Sequence, residues 1–468
     1  MSKEGDKRMA NTKSMGRDLN VGSVPKVLIA FAAPLFLSNF LQAVYSMVDM
    51  VVVGKYVGTN GLSSVAIGSE VLHFLTFIAM GFANAGQVII AQYTGAGQKD
   101  RIKRLIGTMF TFLGICAIVM TIAALFLCEN IMSWLNTPDL ARDGARSYIM
   151  TCAVGLLFIY GYNMVSAVLR GMGDSKHPFM FIGIAAVINL VLDLLFVGVF
   201  DMKAFGAALA TVMGQGVSFV CSLVLLYRKR EHFGFDFKLK SFGIHRDTFG
   251  ALLGLGIPMA IQSAAINVSM LFVNSWVNDC GLEVSAVTGV GAKFSSVSNI
   301  FGQAFNAAGA AMVGQALGAQ KYDRVPKIIL CVFLVNGAVA LVLASAILLF
   351  PTQVFGIFIK AEETLTMSIA MEYVPIAVLS FTSMVFRSCM FCLISGSGNS
   401  KLNFAVAILD GIVARIGISY LLGHALGMSY MGFWLGGELA GFVPFLIGGT
   451  YFLSGRWKKR SALVAEDN

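Results

Sequence analysis

The chain has 468 residues, of which 57% are hydrophobic and only 13% are charged, and its formal net charge is +9 at pH 7. Soluble domains carry about 25% charged residues, so this composition excludes a soluble globular protein and indicates a polytopic membrane protein. The positions of the basic residues favour an ordinary membrane explanation of the positive charge, and we expect no nucleic-acid partner.

Twelve apolar segments are long enough to cross a bilayer, because a membrane-spanning helix needs about 20 residues. The first follows a polar, basic stretch at residues 1–23, in which we expect no cleaved signal peptide. The segments predict an all-α integral membrane protein with twelve transmembrane helices. The predicted spans are residues 25–53, 62–88, 104–127, 145–169, 178–199, 205–227, 250–277, 285–313, 326–350, 368–394, 402–422 and 430–453.

The basic residues predict the orientation of these spans. Of the 34 Lys and Arg residues, 26 fall on the side that holds both tails, and three lie within spans. The positive-inside rule therefore predicts that both termini are cytoplasmic, in a multi-pass protein of a bacterial or archaeal cell (inner) membrane. The five basic residues on the opposite side are Lys55, Arg142, Arg146, Lys203 and Lys360.

The sequence repeats itself after about half its length. "QYTGAGQKDR" (92–101) resembles "QALGAQKYDR" (315–324), and "LRGMGDSK" (169–176) resembles "ISGSGNSK" (394–401). These matches predict two pseudo-symmetric six-helix bundles with a cleft between them. The predicted domains are an N-terminal tail (1–23), an N-lobe (24–227), a cytoplasmic connector (228–249), a C-lobe (250–455) and a C-terminal tail (456–468).

Two carboxylates, Asp49 and Asp193, lie deep in apolar segments of the N-lobe. A charged side chain at this depth costs roughly 2.5–3.5 kcal/mol on insertion scales, so it is a functional hypothesis by default. Gln42 and Tyr45 share one helical face with Asp49, at i, i+3 and i+7, and Asn189 lies one turn before Asp193. The alternative is that such polar side chains hold neighbouring helices together.

The neighbouring spans offer further oxygen and amide groups. The fourth span contains Asn163, and the sixth contains Ala207 and Thr211 four residues apart, with the small Ala207 allowing close helix approach. If these spans converge, the oxygen-rich site suits a small hard cation such as Na⁺. The two carboxylates could instead share a proton. The spacing leaves both alternatives open, as well as whether the spans converge at all.

Other charged residues within spans have less specific interpretations. Glu70 and Lys293 occupy equivalent positions of the repeat, which permits a gating ion pair, although two independent helix-end charges are favoured. Arg415 is a weak candidate for a gate or substrate contact, and its i, i+5 spacing from Asp410 is poor for pairing on one α-helix. No His, Cys or Ser arrangement predicts a catalytic site or a structural metal, and no phosphate-binding loop predicts a nucleotide cofactor.

Taken together, "YSMVDMVVVGKYVG" (45–58), "AQYTGAGQ" (91–98), "LRGMGDSK" and "INLVLDLLFVG" (188–198) resemble the multidrug and toxic compound extrusion (MATE) transporters. The resemblance implies an N-lobe cation site, typical of one prokaryotic branch, at Asp49, Asn189, Asp193 and Thr211. Gln42, Tyr45 and Asn163 match its polar neighbours, and Ala207 is placed with them. The seventh span lacks the acid that another branch uses.

The resemblance implies a secondary active exporter that exchanges amphipathic, often cationic compounds for Na⁺ or H⁺. We expect rocker-switch alternating access, a monomer, and no cofactor beyond the coupling cation. One alternative is a flippase for lipid-linked precursors, which should show a larger basic cavity than Lys293, Arg387 and Arg415 can build. An integral-membrane enzyme and an ion channel are the alternatives from other classes.

Overall fold

The computed structural model describes residues 18–360 and 362–459, apart from the side chains of His232 and Lys459. Most of the two predicted tails lies outside the described residues. Within these residues every regular element is helical. In the described part of the chain, nine helices are long and apolar enough to cross a membrane, or ten when the pair Asp139–Val154 and Leu156–Gly171, bent by 49°, counts as one span.

Two further spans complete the predicted twelve. The helix Val24–Gly95 has 72 residues and contains one non-helical residue, Gly58, at φ 79° and ψ −166°, so it comprises two consecutive spans. Glycine adopts this positive φ without steric cost. The helix Leu282–Gly318 is not among the nine, but it has 37 residues, which is ample to cross a bilayer.

The first six spans form the N-lobe. They are α1 (24–57), α2 (59–95), α3 (Lys99–Trp134), α4 (Asp139–Val154 with Leu156–Gly171), α5 (Lys176–Val199) and α6 (Lys203–Arg228). The predicted boundaries are close to these, but several helices extend beyond their apolar segments. The first two helices are the clearest case, because they continue into each other at Gly58 with no intervening loop.

The last six spans form the C-lobe and repeat the same order. They are α7 (Arg246–Asn278), α8 (Leu282–Gly318), α9 (Arg324–Leu349), α10 (Thr364–Gly396), α11 (Ser400–Ala425) and α12 (Ser429–Leu453). Within the connector, a short helix, Arg230–Phe233, and a 3₁₀ turn, Leu239–Phe242, lie between α6 and α7.

Both fifth helices contain π-helical segments. In α5 the segment Leu194–Val199 begins directly after Asp193, and α11 contains Leu409–Ala414 and Leu421–Ala425. A π-turn closes i to i+5 hydrogen bonds, so it changes which side chains share a face, and such segments are frequent at functional sites. Each lobe therefore departs from regular α-helix in a helix that carries a buried acid, Asp193 in α5 and Asp410 in α11.

The helices α1 and α7 each pack against both lobes. The half of α1 nearest the N-terminal tail packs Leu28 and Phe31 into the core of the C-lobe, whereas Val52 and Val53 pack in the N-lobe. Correspondingly, Leu252 and Leu255 of α7 pack in the core of the N-lobe, and its other half packs in the C-lobe. On one side of the molecule, each lobe thus contributes half of one helix to the core of the other lobe.

That side, which we call the tail side, is the one on which the lobes meet. Gly81 of α2 lies so close to the main chain of Ala260 in α7 that an added Cβ would overlap it. Phe36 and Phe301 stack across the interface with ring centroids 4.4 Å apart. The hydrogen bonds between lobes that involve described residues are likewise formed by tail-side segments. The molecule is therefore closed on the tail side.

Candidate functional site

The predicted N-lobe residues come from three helices that pack together. Asp49 and Tyr45 are on α1, Asn189 and Asp193 on α5, and Thr211 on α6. Both carboxylates are buried, with exposed fractions of 8% for Asp49 and 1% for Asp193. The 3.6-residue period explains why each helix presents its polar groups on one side, because i and i+4 lie one above the other.

A small cavity lies between these helices. Its volume is about 10 Å³, and its lining comprises Tyr45, Ala185, Asn189, Thr211, Gly214 and Gln215. The Asn189 amide Nδ2 donates to Thr211 Oγ1 at 3.4 Å, which ties α5 to α6. A cavity of this size holds about one water molecule, and a small cation needs similar room. The structure thus brings Tyr45, Asn189 and Thr211 to one point.

The two carboxylates each keep an oxygen without a partner. Asp49 Oδ1 and Asp193 Oδ1 are buried and accept no hydrogen bond from any described residue, and the two side chains interact electrostatically with each other. A buried, unsatisfied charged group costs more free energy than it would in water. The pair therefore suits occupation by a cation or a proton, and its oxygen atoms are ligands of the kind that hard cations prefer.

Two residues of α4 near Asp49 were missed in the sequence. Tyr148 and Cys152 are 2% and 1% exposed, and both lie near Asp49. Ser69 Oγ donates to the Tyr148 hydroxyl at 3.3 Å, which links α2 to this group. Their i, i+4 spacing was the available signal, but Tyr and Cys are ordinary in apolar helices and do not indicate a site by themselves.

The three other predicted pocket residues, Gln42, Asn163 and Ala207, lie in different environments. Gln42 is exposed and interacts with Tyr45. The Asn163 amide donates to the Ile159 carbonyl of its own helix at 2.8 Å, and Asn163 is not in the lining of the cavity. Ala207 is fully buried in an apolar cluster with Val52 and Tyr148, where its small size lets α6 approach α1 and α4 closely.

The weaker gate candidates do not form a pair with each other. Glu70 and Lys293 are both exposed, and no ion pair joins them within the described part of the chain. In this state of the molecule, each residue is a separate exposed charge on its own helix. Whether the two charges approach in another state stays a prediction.

Arg415 does pair with Asp410, and the expectation of poor spacing on one helix is wrong. Arg415 Nη2 lies 3.3 Å from Asp410 Oδ1, and both side chains are almost entirely buried. The reason is that the intervening segment Leu409–Ala414 is a π-helix, in which residues i and i+5 share a face. Arg415 Nη1 also donates to the Gly437 carbonyl of α12 at 2.9 Å.

This pair belongs to a larger charged network in the C-lobe. Arg387 of α10 donates through Nη2 to Asn299 Oδ1 of α8 at 2.9 Å, and it interacts electrostatically with Asp410, Arg415 and Glu438. Two guanidinium groups thus face two carboxylates. The C-lobe therefore balances its acids, on α11 and α12, with cations of its own on α10 and α11.

The tail-side interface contains a reciprocal pair of glutamines. Gln92 Nε2 of α2 donates to the Gly396 carbonyl at 2.8 Å, and Gln315 Nε2 of α8 donates to the Gly171 carbonyl at 3.0 Å. Each bond joins one lobe to the other, and both glutamines are 1% exposed. The four residues occupy equivalent positions of the two repeats. We call these two bonds the glutamine clasp.

Similarity to known proteins agrees with this architecture. The chain is 26% identical over 443 residues to the probable multidrug resistance protein YoeA of Bacillus subtilis, covering 94% of this chain and 95% of that protein. It is 34% identical over 316 residues to the probable multidrug resistance protein YpnP of the same organism, covering 66% and 68%.

The fold also matches that of solved structures. An outward-facing multidrug resistance MATE family transporter of the MOP superfamily is similar with a TM-score of 0.84 at 21% identity, covering 95% of this chain and 98% of that one. This likeness confirms the predicted fold of two six-helix halves. A sequence profile of the MatE family matches residues 34–195 and 258–442, most of both lobes. On that match the chain belongs to the MatE family and is a membrane transporter rather than an enzyme.

Proposed function

We propose that the protein is a secondary active multidrug exporter, which exchanges amphipathic, cationic organic compounds for Na⁺ or H⁺ across the cell membrane. The observation that carries this proposal is the buried pair Asp49 and Asp193, each with an oxygen that no described residue satisfies. The names of YoeA and YpnP as probable multidrug resistance proteins support the substrate class. One chain supplies both lobes, so we propose that it acts as a monomer.

The coupling cation is held by groups of three helices in this proposal. Asp49 and Asp193 supply negative charge, while Asn189 and Thr211, joined by their 3.4 Å hydrogen bond, supply neutral oxygen atoms beside the cavity. A bound cation neutralises the carboxylates and thereby weakens the attraction of the N-lobe for a cationic drug. By linkage the antagonism is reciprocal, so the drug lowers cation affinity to the same extent.

Alternating access follows from the closed tail side. The lobes meet there through the glutamine clasp and through the packing of α1 and α7 on the opposite lobe. Opening this side requires both glutamine bonds to break, while closure of the other side supplies new contacts. We propose that cation and drug bias this equilibrium in opposite directions through the position of α1, which carries Asp49 and also packs on the C-lobe.

The test is uptake of a cationic dye into proteoliposomes under an imposed Na⁺ or pH gradient. Wild type should accumulate dye against its gradient under one of the two conditions, and Asp193→Asn should not. The matched control is Asp143→Asn, the same chemical change at an exposed N-lobe carboxylate, which should transport like wild type. Uptake by wild type under neither gradient, or full coupling in Asp193→Asn, would contradict the proposal.

A further inference from the structure

The connector between the lobes is docked firmly on α3. The ring of Phe110 in α3 packs against Phe235 and Phe242 of the connector, with centroids 6.0 and 5.5 Å apart, and Phe235 is fully buried. Thr111 Oγ1 donates to the Phe242 carbonyl. These contacts hold the segment against the tail-side end of α3, so its surface is a defined structure rather than a loose linker.

Asp236 organises the turn that follows. It accepts hydrogen bonds from Ser241 Oγ and, at 3.2 Å, from Lys103 Nζ of α3. The Ser241 hydrogen bond is the main reason that the pKa of Asp236 is lowered to about 2. Asp236 is therefore ionised at neutral pH, and it fixes the connector relative to α3 while neutralising Lys103.

A cavity of about 450 Å³ opens between this turn and α3. Four Lys and Arg side chains and two Asp side chains line it, so its charge is +2 with histidine neutral. The basic lining residues are Lys103, Arg104, Lys238, Lys240 and His245.

Acidic partners do not fully neutralise two of these basic groups. Lys238 is 78% exposed and lies 4.0 Å from Asp236, which Lys103 already approaches more closely. Lys240 has no hydrogen-bond or ion-pair partner among residues 18–360 and 362–459. The cavity thus presents one unpaired ammonium group, that of Lys240, and one that is only distantly paired, that of Lys238, and together they favour an anionic ligand.

An exposed leucine stands between these two lysines. Leu239 is 92% exposed, in a turn whose neighbour Phe242 is packed inward. An apolar side chain flanked by lysines, in a segment packed on the tail-side end of a transmembrane helix, is the arrangement of an interfacial membrane contact, in which the apolar group enters the leaflet and the charges remain with the headgroups. Basic pockets beside transmembrane helices bind anionic lipid headgroups in the same way.

We propose that this cavity binds the phosphate headgroup of an anionic phospholipid from the adjacent leaflet. Lys238 and Lys240 contact the phosphate, and Leu239 enters the acyl region beside it. The cavity adjoins His245, whose main-chain N–H donates to Thr108 Oγ1 at 3.2 Å just before α7 begins. A lipid bound there is a contact for the segment that joins the two lobes, and it is separate from the polar site in the N-lobe.

The test is lipid retention by purified protein, measured by native mass spectrometry after reconstitution in vesicles of phosphatidylglycerol and phosphatidylcholine. Wild type should retain phosphatidylglycerol preferentially. Loss of each lysine should weaken this preference roughly fivefold, because a basic residue near an anionic surface contributes about that factor. The variant K238Q/K240Q should therefore lose most of the preference. The control K327Q/K401Q removes two exposed lysines from the tail-side ends of C-lobe helices and should retain the lipid like wild type.

Two further arms identify the source of the phosphate. Leu239→Ser should reduce phosphatidylglycerol retention while leaving both lysines in place. Inorganic phosphate in excess should not displace the lipid, since it lacks the acyl chain. An unchanged lipid preference in K238Q/K240Q, or an equal loss in K327Q/K401Q, would overturn the proposal. Displacement by inorganic phosphate together with no effect of Leu239→Ser would show a free-anion site and overturn the lipid assignment.

Discussion

The two lobes share one scaffold but treat buried carboxylates in opposite ways. In the N-lobe, Asp49 and Asp193 lie together with no basic side chain joined to either by an ion pair in the described chain. In the C-lobe, Asp410 is paired with Arg415 at 3.3 Å, and Arg387 is close by. A carboxylate in a membrane needs a positive partner. The C-lobe supplies a permanent one, whereas we propose that the N-lobe leaves the position to an exchangeable ion.

On this proposal, the difference explains how a duplicated fold can couple through one half only. A fixed guanidinium cannot leave, so its carboxylate cannot respond to an ion gradient. An unpartnered pair can bind and release a cation, and its occupancy then depends on the concentration on each side. The predictions below test this contrast, beginning with the change expected to have the largest effect.

Neutralising the N-lobe acids should abolish exchange. In Asp49→Asn and Asp193→Asn the amide keeps the shape and removes the charge that cation binding requires, so each protein should remain folded. Drug binding to purified protein, titrated against Na⁺ and against pH, should lose its cation dependence in both variants. Retention of wild-type efflux and cation dependence by Asp193→Asn would make this residue structural.

Removing the fixed cation of the C-lobe should instead affect stability. Arg415→Met leaves Asp410 buried without its partner, which typically costs about 3–5 kcal/mol. The double variant Asp410→Leu with Arg415→Met should recover most of this loss, since no charge then remains unpaired. Thermal unfolding of the purified variants measures both effects. If Arg415→Met left stability unchanged but abolished cation coupling, the C-lobe pair would behave like the N-lobe acids, and the distinction between the lobes would be lost.

Both bonds of the glutamine clasp should stabilise the tail-side-closed state. Gln92→Ala and Gln315→Ala each leave a buried glycine carbonyl unsatisfied, at a cost of about 1–3 kcal/mol to this state, and Gln315→Ala also removes the Oε1 acceptor of the Leu19 N–H at 3.3 Å. Distances between spin labels across the tail side should shift towards the open state in both variants, and at least as far in Gln315→Ala. A large shift in one and none in the other would show that the repeat is not energetically symmetric here.

Thr211 distinguishes between the two candidate ions. Thr211→Ala removes a neutral oxygen ligand, so it should weaken Na⁺ dependence selectively if Na⁺ is the ion. If the carboxylates exchange a proton, the same variant should change transport little, because a proton needs no coordination shell. The measurement is dye uptake under Na⁺ and pH gradients imposed separately, with Thr151→Ala as a control for loss of a hydroxyl that is bonded within α4.

The smallest effect is expected at Glu70 and Lys293. Both are exposed and do not pair with each other in the closed-tail state, so Glu70→Gln and Lys293→Gln should reduce transport only modestly. Rates of dye efflux from cells that express each variant measure this. A charge swap that rescues an inactive single variant would reveal a gating pair formed in another state.

The N-lobe residues were recognisable because membrane burial makes acids conspicuous. Asp49, Asn189 and Asp193 stand out in apolar runs, and the resemblance singled out Thr211. Tyr148 and Cys152 did not stand out, because their types are common in transmembrane helices. Asn163 illustrates the opposite case, since a polar residue can be satisfied by its own helix, here by the Ile159 carbonyl.

The sequence alone determined the helical class, the number of spans and the duplication, because apolar length and repeated turns are local properties of the chain. Only the tertiary structure decided the rest. It paired Asp410 with Arg415 through a π-turn that spacing on an α-helix does not anticipate, packed α1 and α7 on opposite lobes, and formed the glutamine clasp between distant repeats. These features depend on contacts between residues far apart in the chain, which no local pattern specifies.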